Sequence, residues 1–134
     1  MPTYNGHCHC GQTEWTVKLD DPSHILCHCD ACKMLSGGEC TLNTLTGKDD
    51  IKITKGKLGT YDYQGDSGNP VHCYYCPNCT SHVYHHQTVM GDKIVIRTAL
   101  LDGGKEFKVA AEIFGKDRLG WQPEIAKTFP GPPQ

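Results

Sequence analysis

The sequence predicts a mainly β fold of antiparallel strands held by zinc knuckles, with at most one or two short helices. Strand-length runs recur between glycine- and asparagine-containing breaks, and 15 glycines and 8 prolines supply the turns. Seven of the nine cysteines fall into three tight clusters, Cys8-x-Cys10, Cys27-x-Cys29-x-x-Cys32 and Cys76-x-x-Cys79. Spacings of one or two residues let neighbouring sulfurs reach a single metal ion.

Thr13 to Leu19 alternates as a half-buried strand should. Ile51 to Thr54, Thr60 to Tyr63, Val71 to Tyr75, Val83 to His86, Lys93 to Thr98 and Phe107 to Ile113 are further strands, separated at Gly56, Gly59, Gly65-Asp66, Gly68-Asn69-Pro70 and Gly91-Asp92. The one helix predicted runs from Asp30 to Leu35, starting inside the middle cysteine cluster and stopping at Gly37-Gly38. Phe129 to Gln134 is too proline-rich for regular structure and is expected to lie over the surface. No linker or repeat divides the 134 residues, which read as one zinc-binding domain with a core over about 6–121 and a tail over 122–134.

Thirteen basic against 15 acidic residues leave a formal charge of −2, which provides no basic footprint for nucleic acid or anionic lipid. The N-terminus lacks a signal-type apolar stretch, and no run is long enough to span a membrane, so a cytoplasmic protein is expected. That compartment keeps thiols reduced and favours metal ligation over disulfides. Cys8 and Cys10, two apart on a strand, share a face and can share an ion.

The two outer pairs, Cys8/Cys10 and Cys76/Cys79, can close one tetrahedral site. Four thiolates leave a doubly negative complex with no open position, suited to a structural zinc that staples distant parts of the sheet. Cys27, Cys29 and Cys32 offer only three sulfurs, so a second zinc there keeps one position for water or substrate, such as a thiol held as thiolate beside an electrophile. Alternatively a fourth protein ligand closes this site, and Cys40, Cys73, His28 or a nearby histidine could serve. Cys40 and Cys73 otherwise read as buried strand cysteines. His9 should point away from its metal. His28 borders the triple and could move a proton to or from a substrate oxygen.

Several segments resemble one family. Gly6-His7-Cys8-His9-Cys10-Gly11 is similar to its opening motif, and Cys27-His28-Cys29-Asp30-Ala31-Cys32-Lys33 with Ser36-Gly37 resembles its CHCxxC-R/K-x-x-x-G segment. Tyr75-Cys76-Pro77-Asn78-Cys79 is similar to its aromatic-CxxC knuckle, and Leu100-Leu101-Asp102, Ile113-Phe114, Arg118 and Trp121 to its closing signatures. The family is that of the glutathione-dependent formaldehyde-activating enzymes, or centromere-protein-V-like domains, with an Mss4-like fold. The resemblance implies a structural zinc on Cys8, Cys10, Cys76 and Cys79 and an activity-associated zinc on Cys27, Cys29 and Cys32. It also implies a carbon–sulfur lyase reaction, or its reverse, that joins formaldehyde to the thiol of glutathione as S-hydroxymethylglutathione. Two positions depart from the pattern: Thr80 stands where the family usually has glycine, and Cys73 is an unexpected cysteine.

A tripeptide with two carboxylates calls for cationic contacts, for which Lys33 is the first candidate, followed by Arg97 and Arg118. The small-molecule partners expected are therefore a thiol and an aldehyde, with glutathione as co-substrate and a homo-oligomer left open. Two alternatives remain at this stage: a related enzyme tailoring or detoxifying another small molecule, and a non-catalytic zinc-stapled interaction module.

Overall fold

The computed structural model describes residues 1–132, and these form ten strands and one α-helix. The strands are β1 (Thr3–His7), β2 (Glu14–Lys18), β3 (Ser23–Cys27), β4 (Thr41–Gly47), β5 (Ile51–Lys55), β6 (Gly59–Gln64), β7 (Pro70–Tyr75), β8 (His82–Gln87), β9 (Lys93–Arg97) and β10 (Lys108–Ile113). A three-stranded sheet, β1-β2-β5, packs on a seven-stranded sheet ordered β10-β3-β4-β9-β8-β7-β6. Trp15, Val17 and Leu19 from the small sheet and its end meet Val83, Ile94 and Ile96 of the large one, and Cys8 and Cys76 belong to the same buried cluster. Two of the outer cysteines are thus part of the core. β1 can approach Trp15 only because Gly6 has no side chain: a Cβ there would lie 2.3 Å from the indole.

The helix α1 (Asp30–Ser36) forms where the cysteine spacing and flanking glycines allow. Cys29 is its N-cap, its sulfur accepting the Cys32 N–H at 3.3 Å. Gly37, at φ 69°, closes it by donating to the Lys33 carbonyl at 2.8 Å.

Each of the seven strands read from the sequence is present, with ends shifted by a residue or so. β1, β3 and β4 were not expected. In β4 the inward side chains include Thr41, Asn43, Thr44 and Thr46, all buried, so the strand shows no apolar alternation along the chain. Hydrogen bonds replace it: Asn43 Nδ2 donates to Thr41 Oγ1 at 2.8 Å, and Thr46 Oγ1 to the Lys18 carbonyl at 2.8 Å. The antiparallel expectation needs one correction, because β10 pairs with β3 in parallel. These two strands lie far apart in sequence, so no hairpin dictates their relative direction.

The tail is irregular, as expected, but it does not simply lie over the surface. Phe129 N–H donates to the Glu112 carbonyl at 2.9 Å, and Glu112 N–H to the Lys127 carbonyl at 2.8 Å, covering the outer edge of β10. Pro133 and Gln134, also assigned to that tail, lie outside the described residues.

Candidate metal centres and the adjoining cleft

The outer pairs converge. Cys8 and Cys10 follow β1, Cys76 and Cys79 form the turn between β7 and β8, and all four sulfurs lie within 4.8 Å of one another. Cys8 and Cys10 sulfurs are 3.6 Å apart and those of Cys10 and Cys76 3.7 Å. A tetrahedron with metal–sulfur bonds of about 2.3 Å has edges of about 3.8 Å, so this donor set fits zinc. All nine cysteines are free thiols. Thr13 N–H reaches Cys8 Sγ at 3.3 Å, and the Ser81 hydroxyl and N–H hold the Cys79 thiol down at about 5. His9, between the first pair, is exposed, which matches its expected outward direction.

Each half of this site ends on a residue in the left-handed region, in turns of different length. Gly11 follows Cys10 at φ 80°, donating to the Cys8 carbonyl at 3.2 Å; Thr80 follows Cys79 at φ 69°, donating to the Cys76 carbonyl at 2.8 Å. A β-branched residue in the left-handed region costs about 1–2 kcal/mol. The knuckle forms with threonine in a glycine-favouring conformation and carries that strain at Thr80.

Cys27, at the end of β3, and Cys29 and Cys32, at the start of α1, form the second cluster, also within 4.8 Å of one another. No other His, Cys, Asp or Glu among the described residues joins it. The proposed fourth ligands lie elsewhere. Cys73 is a buried strand cysteine, as expected. Cys40 is instead half-buried just before β4, where it lines a cleft. His28 is 0% exposed, and its Nε2–H donates to Glu112 Oε1 at 2.7 Å, so no surface remains for contact with a substrate.

Glu112 was not singled out in the sequence, although a lone acid inside the run Val109 to Ile113 was a signal. It is fully buried, and its other oxygen accepts from the N–H groups of Ile125 at 2.7 Å and Ala126 at 3.0 Å. Burial pushes its carboxyl up, but these bonds, His28 and Arg118 outweigh burial and hold it at about 2. Arg118 is 3.3 Å from Glu112 and 3.7 Å from Glu124, and so is engaged in this strut. Lys33 is likewise occupied, with its ammonium 3.0 Å from Asp30 and hydrogen-bonded to the Asp117 carbonyl.

Arg97 differs. It is 6% exposed, hydrogen-bonds Asn43 Oδ1, and forms no ion pair with a carboxylate among the described residues. Cross-strand partners share a face of a sheet. The pairings Cys27 with Thr41, Asn43 with Arg97, Val95 with His85, His85 with Cys73 and Cys73 with Tyr61 therefore place the triple and Arg97 on one face. There the Cys32 thiol is lowered by bonds from Cys27 and Cys29, then by the Thr41 hydroxyl and the Arg97 charge. Burial, followed by the thiolates of this face, raises Tyr63 to about 12.

Where β4 begins, β9 ends and β8 begins, a cleft of about 370 Å³ opens, lined by Ser36, Cys40, Thr41, Thr80, His82 and Arg97 among others. A second cleft of about 430 Å³ at the opposite strand ends is lined by Asp20, Asp21, Asp50 and Lys93 and contains no cysteine. The first cleft adjoins the chemistry through Thr41 and Arg97, both of which act on Cys32.

The family model of the glutathione-dependent formaldehyde-activating enzymes matches residues 3–117. The chain belongs to this family. A crystal structure of a Rhodobacter sphaeroides protein, a structural genomics target, has a similar fold, with a TM-score of 0.60 and 21% identity over 74% of this chain and 88% of that one. No curated protein sequence matches the chain significantly. Among the described residues, no helix is long and apolar enough to cross a membrane. Family membership and the two sulfur clusters together support a metal-binding protein with a small-molecule thiol or aldehyde as substrate.

Proposed function

We propose that this chain is a zinc-dependent carbon–sulfur lyase acting on a thiol adduct of an aldehyde, with S-hydroxymethylglutathione as the adduct. The reading rests on one juxtaposition: three cysteines that, among the described residues, have no fourth protein ligand stand beside a cleft that contains a buried arginine with no carboxylate partner among those residues. Zinc held by Cys27, Cys29 and Cys32 supplies the charge that keeps an incoming thiol ionised at neutral pH. The choice of glutathione and formaldehyde follows from the family description.

The chain's own groups position the reactants. Arg97, with one arm fixed by Asn43, offers its remaining donors to a carboxylate of the thiol substrate. Cys29 is held by its role as helix cap, and Cys27 by β3, so the sulfurs are set by backbone elements. The His28–Glu112 pair is a positioning strut beneath the triple, in place of the proton-transfer role first considered for His28. Thiols add to formaldehyde without help, so the protein's task is thiolate supply and orientation.

The test is the rate of hemithioacetal formation and breakdown with zinc-loaded protein, compared with the Cys29→Ser variant. The variant should fall to the uncatalysed rate. Equal acceleration across a panel of thiols and aldehydes would rule the proposal out, and selective acceleration with a different conjugate would keep the lyase and change its substrate.

A further inference from the structure

On the lyase reading, we infer that Nε2 of His82 is the proton acceptor for the hydroxyl of the adduct, and returns that proton in the reverse direction. His82 opens β8, immediately beyond the structural knuckle, and lines the same cleft as Arg97, Thr41 and Thr80. The residue is part-buried, and its Nε2 is a buried atom with no hydrogen-bond partner among the described residues. A buried polar atom left unpaired costs about 1–3 kcal/mol, so such an atom at a cleft wall is poised for a ligand. In the neutral tautomer protonated at Nδ1, Nε2 keeps a lone pair for a substrate proton.

The other ionisable groups nearby are less suited. His28 holds Glu112 through Nε2 and, although its Nδ1 is also without a partner among the described residues, the ring is fully buried and does not line the cleft; His85 is almost wholly buried with Gln87 at 3.4 Å, and Tyr63 is raised to about 12. His82 faces Arg97 from β9, Tyr75 across the β7 pairing, Cys40 across the cleft and His85 on its own strand. Burial and then Arg97 hold it at about 4, so it is a neutral base at physiological pH. A carboxylate bound to Arg97 would offset the second cause and raise its basicity once substrate is in place. The strained Thr80 lines the same wall, and strain of this kind persists where the surrounding structure enforces it.

The step balances. Nε2 takes the O–H proton, the freed electron pair on oxygen forms the C=O bond of formaldehyde, and the C–S bond breaks with its pair going to sulfur. The products are formaldehyde, a thiolate and an imidazolium, which returns its proton to solvent. In the reverse direction the thiolate attacks the carbonyl carbon and the imidazolium protonates the nascent alkoxide.

Two measurements on the zinc-loaded protein test this role. His82→Gln should slow adduct breakdown by about 10²-fold with zinc content and circular dichroism unchanged, and added imidazole should restore the rate of His82→Ala. Independently of turnover, the ¹⁵N resonance of His82 Nε2 should move with the uncleavable thioether S-(2-hydroxyethyl)glutathione and stay in place with S-ethylglutathione. Wild-type acceleration that survives His82→Gln, or an Nε2 resonance indifferent to the hydroxyl, overturns the role of His82 alone. Absence of acceleration in the wild type removes the lyase reading and this role together.

Discussion

Replacing Cys10 with serine separates the structural task of the outer cysteines from the chemical task of the triple. Cys10 is exposed, so its packing is worth little, and a surface substitution away from special features changes stability by about 0.5 kcal/mol or less. Its sulfur nevertheless stands 3.6 Å from Cys8 and 3.7 Å from Cys76, which are both core residues. Structural zinc contributes about 10–16 kcal/mol of apparent binding free energy, or about 2.5–4 kcal/mol per thiolate. Loss of one ligand should therefore lower stability by about 2.5–4 kcal/mol, and Tm by about 10 °C for a domain of this size. Cys29→Ser keeps an oxygen at the helix N-cap, and because Cys27, Cys29 and Cys32 lie within six positions the unfolded chain can bind zinc there too, so the change should cost about 1 kcal/mol or less while lowering bound zinc from two equivalents to one. Thermal melts by circular dichroism, paired with metal quantification, read both effects. The division of labour is refuted if Cys29→Ser melts as early as Cys10→Ser, or if Cys10→Ser retains both zinc ions and its Tm.

Thr80→Gly should raise stability by about 1 kcal/mol, because relief of left-handed strain exceeds the added backbone entropy; a lower Tm would contradict the strain inferred at φ 69°. Arg97→Gln should raise KM for glutathione by about 10–100-fold through loss of a charge-assisted bond, and steady-state kinetics with an unchanged KM would show that Arg97 does not bind the substrate. Glu112→Gln should cost about 2–3 kcal/mol near neutrality. Since the Glu112 carboxyl is held down from 4.5 to about 2, its contribution is complete above pH 4.5 and lost as pH falls through 2. The gap between wild-type and variant stability curves should close over that window, and a gap independent of pH would exclude the carboxylate as its source.

The cysteine clusters were legible because ligand spacing is local: a turn brings Cys76 and Cys79 together whatever the rest of the chain does. The helix was legible for the same reason, with Cys29 and Gly37 as its two ends. The strands that alternate apolar and polar residues could be read, whereas β4 could not. Its buried threonines and Asn43 are acceptable inside only because Arg97, Lys18 and neighbouring strands satisfy them. Lys33 and His28 stand out in the sequence by closeness to the triple, yet their partners, Asp117 and Glu112, come from much later in the chain. Nothing in the local pattern singles out His82, and Arg97 ranks behind Lys33, because both are distant in sequence from the triple and meet at the cleft only through sheet register.

By itself the sequence determined the donor chemistry: four cysteines in two pairs for one closed site, three for another, and a β fold to carry them. The tertiary structure decided which charged groups are free. Ion pairs and hydrogen bonds form between residues many positions apart, so only the folded arrangement reveals that Lys33, Arg118 and His28 are committed. Arg97 and His82 are left facing the cleft beside the open triple.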